Sequence, residues 1–181
     1  MKLFEKTLHS ETKFDGRIIT VKLDDVELEN GTTAKREIVC HNGGVCVAAL
    51  TENDEIFLVR QFRYPYKEVL LELPAGKLEL GEDPFEAVKR EQLEETGTTG
   101  ENYISLGNLY PSPGYCGEII RMWACRIAEN REQHLDEDEF LEVERIPLNK
   151  AVEMVLNNEI QDSKTQVGIL KAAFLVENKK L

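Results

Sequence analysis

Between Gly76 and Thr98 the chain reads GKLELGEDPFEAVKREQLEETGT, and its acidic residues fall in an order that suits metal chemistry. Asp83 is a natural N-cap, Pro84 fits the first helical position, and Glu86 sits where a capping-box acid reaches back, so a helix begins here. Gly97 ends it as a C′ glycine. At about 100° per residue, Phe85, Val88 and Gln92 share one side, and Glu91, Glu94 and Glu95 cluster on the arc bordering it. Glu91 and Glu95 are like charges at i and i+4, a spacing that destabilises an isolated helix by a few tenths of a kcal/mol. A hard divalent cation relieves that repulsion. Mg²⁺ suits the pattern because it takes one or two carboxylates, keeps waters and binds substrate phosphates. The competing reading is a solvated acidic face in an acidic protein.

In this stretch Gly76, Glu82, Arg90, Glu91, Glu94, Glu95 and Gly97 stand in register with G-x5-E-x7-R-E-U-x-E-E-x-G-U, where U is aliphatic. That pattern resembles the signature of the Nudix hydrolases. All seven fixed positions match, while both aliphatic positions depart, as Gln92 and Thr98, with Leu93 next door as a substitute apolar contact. The resemblance implies a metal-dependent hydrolase of phosphoanhydrides. It assigns Glu91 and Glu95 as metal ligands, with Glu94 close behind, the Ala75 carbonyl completing the site and Glu82 ligating or supporting from the helix entrance. Arg90 would orient the glutamates. The implied cofactor is Mg²⁺, with Mn²⁺ as a substitute.

The elements that must position these groups form one ordinary domain with a β appendage, in a chain of 181 residues. Residues 1–40 read as an N-terminal antiparallel β region, with a hairpin turn at Asn30-Gly31. In residues 41–181, VCVAAL reads as a buried strand, strands follow at 55–63 and 69–73, and the acidic helix comes next. Strands are expected around 103–110, 118–127 and 140–146, with an acidic loop at 129–139. A helix follows Pro147, and Ser163 with Gln166 suggests a capping box for a terminal helix. This mixed order predicts an α/β fold with a mixed sheet covered by helices. It agrees with the Nudix-type α/β/α sandwich that the resemblance implies.

A net charge of −12 argues against a nucleic-acid or anionic-membrane partner. The N-terminus has no apolar signal core and no apolar run is long enough to span a bilayer, so a soluble, cytoplasmic protein is expected. Cys40, Cys46, Cys116 and Cys125 lack metal-binding spacing and are expected as reduced thiols. His9, His41 and His134 give no support for a zinc site. An acidic Ca²⁺-binding protein is a weaker reading, because no EF-hand loop is present.

Pro113 lies about fifteen residues beyond the signature, and its SPG context with Glu118 resembles the ADP-ribose pyrophosphatase branch of the family. That resemblance implies a homodimer in which N-terminal β regions help to shape an adenosine pocket. It suggests Arg36 and Glu37 for the adenosine side, Arg63 for the diphosphate, and Pro113 and Glu118 at the substrate. Glu139, with Glu137 second, is the expected general base. The implied reaction converts ADP-ribose to AMP and ribose 5-phosphate. The alternatives are another nucleoside diphosphate derivative, such as a sugar nucleotide, NADH or a dinucleoside polyphosphate, or a non-catalytic nucleotide sensor.

Overall fold

A computed structural model describes residues 3–135 and 140–181. The chain divides into two units, Met1–Gly43 with Tyr110–Ile119 and Gly44–Leu109 with Ile120–Leu181. In the first, β1 (Lys6–Asp15), β2 (Thr20–Glu27) and β3 (Thr33–Cys40) make an antiparallel sheet in that order. Asn30 and Gly31 close the β2–β3 hairpin, where Leu28 N–H donates to the Thr32 carbonyl at 2.8 Å and Thr32 N–H to Asn30 Oδ1 at 3.0 Å. Every residue of β1 is exposed, and Asp24 and Val26 are the sheet's buried residues, so this sheet buries little within the chain. Residues 110–119 join it because Val39 N–H donates to the Tyr115 carbonyl and Gly117 N–H to the Val39 carbonyl, both at 2.8 Å.

The second unit contains β4 (Gly44–Leu50), β5 (Glu55–Arg63), β6 (Glu68–Glu72), β7 (Ala75–Lys77), α1 (Pro84–Thr96), β8 (Thr98–Leu109), β9 (Ile120–Asn130), β10 (Leu141–Pro147), α2 (Leu148–Leu156) and α3 (Ser163–Glu177). Its sheet runs β10-β5-β4-β9-β8, with β6 added to β5 and β7 to β4. β4 and β9 are parallel and the other pairs antiparallel, so the sheet is mixed. β4 is buried along its whole length because both faces are covered. Val45, Val47 and Ala49 pack with Ala87 and Val88 of α1, whereas Cys46, Ala48 and Leu50 pack with Leu148 and Ala151 of α2 and Ile169 and Ala172 of α3. The unit is the expected α/β/α sandwich.

Element edges depart from the sequence expectation where tertiary pairing extends or shifts them. β8 starts at Thr98, directly after the helix, and accommodates three irregularities along its pairing with β9. β9 continues through Glu129, which pairs opposite Thr99, into the segment expected as loop. α3 is capped by Asp162 and not Ser163: its carboxylate accepts from the Thr165 amide at 2.9 Å, while Gln166 donates to the Ile160 carbonyl at 2.7 Å. On α1, Asp83 accepts from the amides of Phe85 and Glu86 as expected, but the Glu86 carboxylate pairs with Lys89 at 2.9 Å instead of reaching back.

The two departures from the apolar motif positions explain each other. Gln92 is fully buried, and its Nε2 donates to Thr98 Oγ1 at 3.0 Å. Its Oε1 accepts from the Tyr103 hydroxyl at 2.7 Å and from the Cys125 thiol at 3.5 Å. Satisfied in this way, a buried amide does not carry the desolvation cost of an unpaired one. Gln92 itself occupies the core position, and Leu93, the expected substitute, is half-buried.

Candidate active site

The residues at the end of β6, the short β7 and the helix α1 form a corner. Glu95, 2% exposed, accepts a hydrogen bond from the Ala75 amide at 2.9 Å. Glu91, 8% exposed, lies so close to Gly76 that a Cβ built there would fall on its carboxyl group. Glycine is therefore required at this position to admit the carboxylate to the backbone. Two nearly buried carboxylates one helical turn apart thus face the same backbone corner.

Arg90 gathers the remaining acids. Its Nε and Nη2 donate to Glu82 at 2.9 and 3.2 Å, and its Nη1 reaches Glu94 at 2.8 Å and Glu91 at 2.9 Å. One planar guanidinium thereby fixes three carboxylates, a geometry that a point-charge lysine does not reproduce. The hydrogen bond from Arg90 holds the Glu82 carboxyl below its usual range.

The C-terminal end of α1 is tied to the loop after β9. Arg131 N–H donates to the Gly97 carbonyl at 2.6 Å, Gln133 Nε2 to the Glu95 carbonyl at 2.5 Å, and His134 N–H to the Glu94 carbonyl at 3.1 Å. These contacts satisfy carbonyls that a helix end leaves open. Gly97 permits them: it adopts φ 63°, and a Cβ there would strike the Arg131 carbonyl. The expected bases, Glu139 and Glu137, lie outside the described residues.

Arg63 is held in a fork by Glu72, with Nε and Nη2 donating at 2.6 and 2.8 Å. Glu72 also receives the buried Lys164 ammonium. Burial alone would raise the Glu72 carboxyl, but Arg63 and Lys164 outweigh it and hold it at about 2, against an ordinary 4.5. A depressed folded-state value contributes stability that is complete above the unfolded value and is lost as pH falls toward the folded one. We therefore expect this group to contribute on the order of 3 kcal/mol near neutrality, lost between about pH 4.5 and 2. Acid denaturation of Glu72→Gln should lack this component; an unchanged acid limb would contradict it.

The other expected substrate residues belong to the first unit. Arg36 pairs with Glu5 through Nε at 2.9 Å and Nη2 at 2.5 Å. Glu37 is exposed, and as the next residue in β3 its side chain leaves the opposite face. Pro113 is exposed in the loop 110–119, and Glu118 lies 3.6 Å from His41 Nδ1. Sequence reading missed Glu72, Asp162, Lys164 and Thr165; the misplaced cap at Ser163 was the nearest signal to them.

Among the described residues no three His, Cys, Asp or Glu side chains form a preformed metal cage. Mg²⁺ does not require one, because it takes one or two carboxylates and completes its shell with water and substrate oxygens. Glu91 and Glu95 beside the Ala75–Gly76 backbone are an oxygen-only donor set of that kind. Among the described residues no helix is long and apolar enough to cross a membrane, and the four cysteines are free.

Residues 41–166 match the NUDIX domain, and residues 5–39 match the nucleoside diphosphate sugar hydrolase N-terminal domain. The chain is 43% identical over 171 residues to an ADP-ribose pyrophosphatase of Bacillus subtilis, covering 92% of this chain and 91% of the relative. It is also 43% identical to a methanol dehydrogenase activator of Bacillus methanolicus, covering 93% and 92%. A GDP-mannose pyrophosphatase of Yersinia enterocolitica is 32% identical, covering 76% and 78%. A solved structure described as an ADP compounds hydrolase shares the fold over the full length of both chains, with a TM-score of 0.86 and 22% identity. The signature in α1, the sandwich that carries it and the match over residues 41–166 place this chain in the Nudix family.

Proposed function

We propose that this chain is a Mg²⁺-dependent pyrophosphatase that hydrolyses ADP-ribose to AMP and ribose 5-phosphate. The observation that carries the reading is the pair Glu91 and Glu95, set over the Ala75–Gly76 corner by the Arg90 clamp. The 43% identity to the Bacillus subtilis ADP-ribose pyrophosphatase supports the substrate.

Glu91, Glu95 and the Ala75 carbonyl would hold Mg²⁺, with Glu82 supporting through Arg90. The metal supplies neutralisation of diphosphate charge and a lowered pKa for bound water. Arg90 keeps Glu82, Glu91 and Glu94 in place. Arg63, oriented by Glu72, meets the diphosphate oxygens. Glu139, or Glu137, takes the proton of the attacking water. Arg36 and Glu37 serve the adenosine side, and Pro113 and Glu118 contact the substrate. Homodimerisation, with the exposed β1 strand and its Leu8 and Phe14 as contact surface, completes that pocket. Sedimentation should give a dimer; a fully active monomer would remove the shared pocket. The free cysteines suit a reducing, cytoplasmic setting.

The GDP-mannose pyrophosphatase relatives favour a second reading, in which a sugar nucleotide is the substrate. The test is turnover of ADP-ribose beside GDP-mannose, NADH and a diadenosine polyphosphate, with Mg²⁺ and with chelator, and with products identified by mass spectrometry. Metal-dependent release of AMP and ribose 5-phosphate, at the highest kcat/KM of the panel, is expected. A preference for GDP-mannose would move the assignment to the second reading, and binding without cleavage would make the chain a sensor.

A further inference from the structure

A buried cluster of charges lies just upstream of the metal corner. Glu72 is 1% and Lys164 7% exposed. Lys164 binds Glu72 and lies 3.0 Å from Asp162. Asp162 accepts from Thr165 Oγ1 at 2.6 Å, and that hydroxyl in turn accepts from the Leu73 amide at 2.8 Å. Since Glu72 and Leu73 are neighbours in the chain, these contacts close into a ring joining the start of α3 to the end of β6. Well-packed apolar residues would brace the same junction at equal or lower free-energy cost.

The ring's position suggests another use for the charges. Immediately after it, the Pro74 carbonyl is held by the Val47 amide at 3.0 Å and the Ala75 amide by Glu95 at 2.9 Å, so the chain is fixed continuously from Glu72 to the corner. On its other side Glu72 takes Nε and Nη2 of Arg63, which sets the plane of the guanidinium. The Arg63 side chain is 38% exposed, and its Nη1 edge has no partner among the described residues. Glu72 first, and then Asp162 and Glu95, make up the negative field around this guanidinium. A guanidinium oriented in this way is suited to meet phosphate oxygens in a defined geometry.

We propose that Glu72 and Lys164 are positioning residues for the reaction: Lys164 holds Glu72, and Glu72 aims the open edge of Arg63 at the substrate diphosphate. The inference rests on the reading of Arg63 given above. It predicts that Lys164 acts on catalysis through Arg63.

A double-mutant cycle tests this. Lys164→Met, Arg63→Ala and their combination are compared by kcat, KM and melting temperature, with ADP-ribose and Mg²⁺. Lys164→Met is expected to raise KM roughly tenfold in the wild-type background and to have no more than about a twofold effect once Arg63 is absent. Its effect on melting temperature should persist in both backgrounds. An equal loss of kcat/KM in both, or a fall in melting temperature with unchanged kinetics, would reduce the ring to a brace and overturn the proposal. If Lys164→Met does not fold, Glu72→Gln replaces it in the same cycle, with the same criteria. Calorimetric Kd values for ADP-ribose provide a parallel cycle independent of turnover. An additive cycle with an active wild-type protein sinks the positioning role alone, whereas a wild-type protein that neither binds nor cleaves any of the panel compounds sinks the functional reading with it.

Discussion

Glu95→Gln is expected to lower turnover by roughly a thousandfold while leaving the fold intact, because metal stabilisation of transition-state charge is worth several kcal/mol at 1.36 kcal/mol per decade. The glutamine carbonyl can still accept from the Ala75 amide, so the corner keeps its hydrogen bond. What is lost is the negative charge. Steady-state kinetics across a Mg²⁺ series, with thermal unfolding as a fold control, measures the effect. Near-normal turnover at saturating Mg²⁺ would remove Glu95 from the metal site.

Arg90→Met should lower kcat/KM by roughly 10- to 100-fold, as losing the groups that orient metal ligands usually does. Three carboxylates, those of Glu82, Glu91 and Glu94, then lose their common cation. Their mutual repulsion is expected to shift the Mg²⁺ dependence to higher concentration. Arg90→Lys should restore only part of the activity, because one ammonium cannot hold three carboxylates in a fixed fork. Full activity in Arg90→Met at ordinary Mg²⁺ would make the clamp a surface ion pair of little consequence.

What was legible in the sequence is what is local. The Asp83 and Gly97 caps of α1, its acidic arc and the buried strand GVCVAAL each declare themselves within a few residues and stand in the structure as expected, whereas Glu86 turns to Lys89 instead of closing a capping box. The meaning of Gln92 and Thr98 was not legible. They read as two independent defects, yet they bond to each other, and their network draws on Tyr103, 11 residues from Gln92, and Cys125, 33 residues away. The ring around Lys164 is less visible still, since Leu73 and Thr165 are 92 residues apart and nothing in either segment names the other. Buried polar contacts between distant segments have no periodicity to reveal them. Arg63 shows the same limit from the other side: a lone arginine at a strand end became informative only with Glu72 beside it.

The anchoring of residues 131–134 to the carbonyls of Glu94, Glu95 and Gly97 was also beyond sequence reading, although Gly97 marked the place. A C′ glycine ends many helices by conformation alone. Here it also makes room for a returning loop, the one that leads toward Glu137 and Glu139.

The most direct test of the metal corner is anomalous scattering from crystals grown with Mn²⁺ and a non-hydrolysable ADP-ribose analogue. An anomalous peak about 2.1 Å from carboxylate oxygens of Glu91 and Glu95 and from the Ala75 carbonyl is the expected result, that being the distance at which octahedral Mg²⁺-type sites hold oxygen. A metal bound elsewhere, with Glu91 and Glu95 free of it, would contradict the account.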